Sequence, residues 1–357
     1  MKKLIPLIMC MFLLFNLSSC AFVDSTDNQK EVTETLTAMN TVMQITVFNT
    51  SKGSNEDVLR EMITRIEELE KLFDPNLPES DVYKINNSKG VPSDKVATDE
   101  DRIYLNEDTI NVLLSAKSNY YSTDNLFDIK LMPVIELWGF DNGNYGVPKD
   151  NEIKNALKVI EKSQISIYSD ENYIVVSEGT KISLGGIAKG YLGDELLGIA
   201  QEYGATALLS LGGNIVLCGD KSNGNMWSVG IKNPDDTENI ACSFKSDGNK
   251  SVVTSGAYER FFEYGGKTYH HIMDPETGYP AESDLLSVTV VGENGANCDA
   301  WSTALFVMGK EKAVEFAKKH NSYDFVFITN NNEILITDGI ADLKIKDEAL
   351  IFKSIQR

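Results

Sequence analysis

"GGIAKGYLGDELLGIAQEYG" (185–204), followed almost at once by "ALLSLGGNIVLCG" (207–219), is the stretch on which the fold turns. The first segment has helical spacing and opens on a glycine pair. The second is two apolar, strand-like runs separated by another glycine pair. A chain alternating strictly between strand and helix would place a helix between those two runs, whereas here one strand follows another across a short glycine turn. That order predicts α+β layering.

The same grammar extends in both directions. "TAMNTVMQITVFNT" (37–50) reads as a strand. "SNEDVLREMITRIEELEKLFDP" (54–75) carries Val58, Leu59, Met62, Ile63, Ile66, Leu69 and Leu72 at helical spacing, with Ser54 or Asn55 as cap and Pro75 as stop. Helical patterns recur in "EDTINVLLSAKSNYY", "KDNEIKNALKVIEK" and "CDAWSTALFVMGKEKAVEFAKKH". The strand-like runs "YIVVSE", "WSVGIKNP", "SVVTSG", "KTYHHIM", "LLSVTVVG", "YDFVFIT" and "EILITDG" outnumber them. Neither an internal repeat nor a low-complexity block interrupts the pattern.

The N-terminus is different. MKK and an apolar run from Leu4 to Leu17 form a secretion signal, since a membrane span needs roughly 20 apolar residues. Leu17-Ser18-Ser19-Cys20 resembles the lipobox of bacterial lipoproteins, in which the cysteine is acylated. The expected organisation is a signal peptide over 1–19, a polar tether over 20–35 that begins at lipidated Cys20, and one body over 36–357 in two closely associated lobes. The protein would then work on the extracytoplasmic face of a bacterial membrane. A formal charge of −20 argues against nucleic acid as a partner, and means that an anionic ligand would need a local cation or a helix N-terminus. Beyond the signal and the lipobox stand Cys218, Cys242 and Cys298, too few and too widely spaced for a disulfide framework. A Cys218–Cys242 bridge and buried free thiols are both compatible with the spacing.

Three patterns could carry chemistry. Gly185-Gly186 opens a helix whose first turn has free N–H groups, and Lys189 just inside it adds a charge for phosphate; the spacing is not that of a Walker motif. Asp299 and Thr303, four apart near a helix start, are hard oxygen ligands suited to Mg²⁺. In "TSGAYERFFEYGGKTYHHIMDP" (254–275), a hairpin turning at Gly265-Gly266 sends His270 and His271 to opposite faces. His271 would face the cleft as a base with Asp274 to orient it, and His270 would be its outward neighbour. Each pattern also has a structural reading: a tight packing turn, an Asp cap with a Thr bonded to its own helix, an exposed hairpin. Phe127, Trp138 and Phe140 offer either ring surface or core.

Taken in order, "AMNTVM", "FDIKLMPVIELWGF", "ISLGGIAKGYLGDEL", "LLSLGGNI", "SVGIKNP", "VVTSGAYERFF", "YHHIMDPETGYP" and "CDAWSTALFVMG" resemble the ApbE family, the FAD:protein FMN transferases. The resemblance implies an ApbE-like α+β fold, with mixed and antiparallel sheets packed on helices around a flavin cleft. It also implies Mg²⁺-dependent transfer of FMN from FAD to a Ser or Thr hydroxyl of a target flavoprotein, with release of AMP. By the same resemblance Asp299, Thr303, Ser302 and the Gly186 carbonyl bind metal. Met39, Asn125, Leu126, Phe127, Ser183, Lys189 and Ile272 contact FAD, and His271 is the base. Ser183 stands where the family usually has Asp, and Asn125-Leu126 where it has Gly-Ala. The same site would serve an FAD pyrophosphatase giving FMN and AMP, and a third reading is a lipid-anchored flavin-binding protein without catalysis.

Overall fold

Nine strands form the central sheet and lie in it in the order in which the chain makes them: Val32–Ala38, Thr41–Asn49, Thr206–Ser210, Asn214–Cys218, Lys250–Gly256, Leu285–Gly292, Asp324–Thr329, Glu333–Thr337 and Ile351–Ile355. Every neighbouring pair is antiparallel except the last. The computed structural model describes residues 30–221 and 224–357, so Cys20 and the signal peptide lie outside the described residues. All helices and the smaller sheets are insertions between neighbouring strands of this meander. The α+β expectation from residues 185–219 therefore holds.

Both faces of the sheet are covered. In Asp324–Thr329, Phe325 and Phe327 enter one hydrophobic cluster and Val326 and Ile328 another, the period of two expected of a strand buried on both sides. On the first face lie the helices Asn55–Phe73, Glu107–Ser122, Ala188–Tyr203 and Gly295–Lys319. On the second lies a three-stranded sheet of Trp227–Lys232, Ile240–Ser246 and Ala341–Ile345. A third cluster gathers Leu131, Val134, Trp138, Phe140, Ile153, Ala156, Ile160 and Met273 beneath a hairpin of Phe261–Tyr264 and Lys267–His270. Among the described residues no helix is long and apolar enough to cross a membrane.

Local chemistry accounts for the boundaries. Ser54 caps the first helix in a capping box with Asp57, as its position before the periodic run predicts. The hairpin turns at Gly265 and Gly266, with φ of +59° and +77°, the two positive values that a two-residue primed turn requires.

Three boundaries differ from the sequence reading. Residues 32–35, assigned to the tether, already pair with 44–47, and the strand read across 37–50 is broken at Met39-Asn40, where φ is +48° and +58°. The helix over "CDAWSTALFVMGKEKAVEFAKKH" has a non-helical break at Gly309 (φ +74°), after which Asp284 accepts the Lys310 N–H at 2.8 Å. Cys218, Cys242 and Cys298 are free and buried, so the bridge alternative falls; burial pushes the first two thiols up to about 12.

Candidate active site

A cleft of about 880 Å³ opens where the third cluster meets the central sheet and its helices. Its walls come from segments far apart in sequence, including Met39, Leu126, Phe127, Ser183, Gly186, Lys189, His271, Ile272, Asp299 and Thr303. Of the candidate flavin contacts, Asn125 is the exception and does not line it. Asn125 nonetheless holds φ +66°, a left-handed turn of the kind asparagine tolerates, which leads into Leu126 and Phe127.

Met39 sits in the strained turn between the first two strands, its N–H held by Glu70 Oε1 at 2.7 Å. Gly186 lies under the Phe127 ring: a Cβ there would stand 3.1 Å from Phe127 Cε2 and 3.6 Å from Thr303 Oγ1. Trp138 is fully buried and donates its indole N–H to Gly278 O at 2.9 Å, which makes it core, whereas Phe127 and Phe140 face the cleft.

The helix Ala188–Tyr203, the cleft helix, meets the start of Gly295–Lys319, the long helix, on the cleft floor. Asp299, 3% exposed, accepts the Gly190 N–H through Oδ2 at 2.8 Å, and Lys189 Nζ stands 3.9 Å from the same oxygen. This corrects the expectation of a free N–H seat for phosphate: the Gly190 N–H in the first turn is taken by Asp299. The positive end of the cleft helix thus holds the carboxylate.

Asp299 is also not the cap of its own helix. Asn294 fills that place, accepting the Asn297 N–H at 2.7 Å. Thr303 Oγ1 is 3.4 Å from Ser255 Oγ. Ser302, fully buried, has its hydroxyl engaged by Ser255 Oγ at 2.7 Å and Asp299 O at 2.9 Å, so its side chain braces the seam from behind the cleft.

Among the described residues, no three His, Cys, Asp or Glu side chains are placed to share a metal ion. What is present is a hard-oxygen set: one buried carboxylate, one hydroxyl and the Gly186 backbone. Such a set suits Mg²⁺ completed by water and phosphate oxygens, and Asp299 Oδ1 takes no hydrogen bond from the described residues.

The two histidines separate sharply. His271 Nδ1 lies 3.1 Å from Arg260 O, and the His271 backbone N–H donates to the same carbonyl at 3.1 Å. A carbonyl only accepts, so Nδ1 carries the proton and Nε2 is left as a lone-pair base. Burial pushes this imidazole down to about 4, helped by the neighbouring His270, Arg260 and Lys189 and opposed by the Arg260 carbonyl. It is therefore neutral across the physiological range.

His270 is not the outward neighbour expected. Its Nε2 donates to Ala281 O at 3.1 Å, its Nδ1 accepts the Ile272 N–H at 3.3 Å, and the ring packs edge-on against Phe306 at 5.5 Å. Both nitrogens are occupied. Asp274 does not orient His271 either: its carboxylate accepts Glu276 N at 2.8 Å and Thr277 Oγ1 at 3.0 Å, holding its own turn. The orienting group is the Arg260 main chain, anchored by the guanidinium's hydrogen bond to Phe140 O.

Glu259 is the cleft residue that the sequence reading missed. A Cβ on Gly213 would lie 3.3 Å from its Oε1, which sets the carboxylate over the glycine turn between Thr206–Ser210 and Asn214–Cys218. Desolvation of the carboxylate against the cleft wall raises it to about 7, opposed by Lys189 and reinforced by Asp299, although the residue as a whole is exposed. No spacing rule marked it, because it follows Tyr258 in a loop and gains its setting from strands more than forty residues away.

An in-order, almost wholly antiparallel sheet and a cleft joining a neutral imidazole to hard oxygen donors and a lysine define the class, an α+β enzyme built for group transfer. Comparison makes it specific. The chain belongs to the ApbE family, whose sequence model matches residues 39–327. It is 30% identical over 275 residues to a Klebsiella pneumoniae protein named FAD:protein FMN transferase, covering 76% of this chain and 82% of that one. A Treponema pallidum protein of the same name is 31% identical over 299 residues, 80% of each chain. The crystal structure of the ApbE protein from Thermotoga maritima superposes with a TM-score of 0.74 at 29% identity, covering 89% of this chain and 97% of that one.

Proposed function

We propose that this protein transfers FMN from FAD to a Ser or Thr hydroxyl of a flavoprotein, with Mg²⁺ dependence and release of AMP. Flavin transfer is the activity for which its relatives are named. The observation that carries the reading is His271: a neutral imidazole with Nδ1 fixed by Arg260 O and Nε2 free, in the same cleft as Lys189, Asp299 and Thr303.

Phosphoryl transfer rests on positioning and charge neutralisation. In this reading the acceptor oxygen forms a bond to the FMN phosphorus while the pyrophosphate P–O bond breaks and AMP leaves. His271 Nε2 takes the hydroxyl proton. Lys189 meets the phosphate charge. Asp299, Thr303 and the Gly186 carbonyl would hold Mg²⁺, which when bound supplies further neutralisation of the pyrophosphate. Met39, Leu126, Phe127, Ser183 and Ile272 wall the FAD.

The proposal includes location. The lipobox-like Leu17-Ser18-Ser19-Cys20 and the polar residues after it support a lipid anchor at Cys20, with the domain and its acceptor on the extracytoplasmic face of the membrane. Cys20→Ser should move the protein from the membrane to the soluble fraction. For the chemistry, the purified protein is incubated with FAD and Mg²⁺, with and without an acceptor domain, and covalent flavin is read by fluorescence on a denaturing gel. A fluorescent acceptor band supports transfer. AMP formed equally fast without acceptor would identify a pyrophosphatase, and neither product a binding protein.

A further inference from the structure

The cleft helix and the long helix cap each other. Gly190, in the first turn of the cleft helix, donates its N–H to Asp299 Oδ2 at 2.8 Å. Asp194, one turn further along, accepts the first two N–H groups of the long helix, Gly295 at 2.5 Å through Oδ1 and Ala296 at 3.0 Å through Oδ2. Where the two cross there is no room for a side chain. A Cβ on Gly295 would lie 2.6 Å from Gly190 O, and one on Gly190 would lie 2.7 Å from Asp299 Cβ. Two helix N-termini in contact bring like partial charges together, and each is met by a carboxylate from the other helix.

The long helix does not need Asp194 merely to be capped, since Asn294 already accepts the Asn297 N–H. What Asp194 adds is a two-pronged grip from a different element, fixing the height and roll of the long helix against the cleft helix. We propose that Asp194 is a positioning residue: it sets Asp299 and Thr303 relative to Gly186 and so tunes the affinity for the divalent cation. This rests on the metal reading above.

The test uses the whole protein and Mn²⁺ as a paramagnetic probe, with free Mn²⁺ read by electron paramagnetic resonance and folding by circular dichroism. Asp194→Asn should weaken Mn²⁺ binding about 10- to 100-fold, as loss of a group orienting a ligand does, and raise the Mg²⁺ concentration needed for transfer, with recovery at excess Mg²⁺. Asn294→Ala removes the helix's own cap and leaves the grip, so it should lower the melting temperature while keeping Mn²⁺ affinity. If Asp194→Asn does not fold, Asp194→Glu is read in the same way, because it keeps the charge and lengthens the reach. Wild-type Mn²⁺ affinity in the folded Asp194 variant, or equal weakening in Asn294→Ala, overturns the proposal. Failure of the wild-type protein to bind Mn²⁺ removes the metal reading and this proposal together.

Discussion

The seam between the two helices and the hairpin that carries His271 face the same cleft and are held by opposite means. The seam is main chain against main chain: Gly190 and Gly295 touch, Asp299 is 3% exposed, and Ser255 and Ser302 close its rear. The hairpin is a two-stranded sheet joined to no other, its tip open to solvent and its inner face a stack of rings, with Phe262 and Tyr269 5.4 Å apart and Tyr145 5.2 Å from Phe262. Oxygen donors that must keep fixed spacing sit in the part that cannot deform. In the proposed function the base, His271, would then sit on the more open wall. Stability and activity should therefore separate on mutation.

The seam breaks most severely. Gly190→Ala forces a methyl group into Gly295 O and Asp299, and should cost about 3 kcal/mol, read as a large fall in melting temperature. An unchanged melting temperature would mean that the helices can slide apart and that the seam is not rigid. Asp299→Ala removes the buried carboxylate and should lower Mg²⁺-dependent transfer on the order of 10²- to 10³-fold, measured as covalent flavin formed per minute at fixed Mg²⁺.

Titration sharpens the contrast within the cleft. Unfolded His271 takes up its proton near 6.5 and folded His271 near 4, so between these values the unfolded chain binds more protons and stability falls as pH drops. Glu259 has the opposite sign. Folded, it is protonated up to about 7 while the unfolded residue ionises near 4.5, so its contribution is lost as pH rises through that window. Denaturant unfolding measured from pH 4 to 8 should therefore become less stable toward acid in Glu259→Gln than in wild type, and His271→Gln should shift the slope the other way. Parallel curves for all three proteins would contradict both assignments. The smallest effect is expected at His270. His270→Ala loses two hydrogen bonds and an edge contact with Phe306, about 2 kcal/mol of stability, with transfer close to wild type.

How much of this was legible in the sequence follows from how local each signal is. The helix Asn55–Phe73 was readable because Ser54, Asp57 and the apolar spacing are all local. The hairpin was readable from Gly265-Gly266. Two strands in succession around Gly212-Gly213 announced the α+β order, and the family's motifs brought Lys189, His271, Asp299 and Thr303 to one cleft. The turn at Met39-Asn40 was hidden because Met39 is no usual left-handed turn former and Asn40, which is one, stands inside an apolar run; the turn is held by Glu70, more than thirty residues on. Asp274 misled because closeness in sequence suggested a partnership that its own turn takes up. His270 was assigned outward by strand alternation, but at the base of the hairpin its ring meets Phe306 and the Ala281 carbonyl, contacts that come from distant segments. Glu259 and Asp194 gain their settings only when distant strands and helices meet, and periodicity carries no trace of that.

The central claim is that His271 Nε2 receives the acceptor's proton, and the most direct measurement is single-turnover flavin transfer by His271→Ala to a Ser/Thr-bearing acceptor, with FAD binding and melting temperature followed in parallel. A fall in transfer on the order of 10²- to 10⁴-fold, with FAD binding and folding retained, is the expected result. Transfer at the wild-type rate in the folded, FAD-binding variant would contradict it.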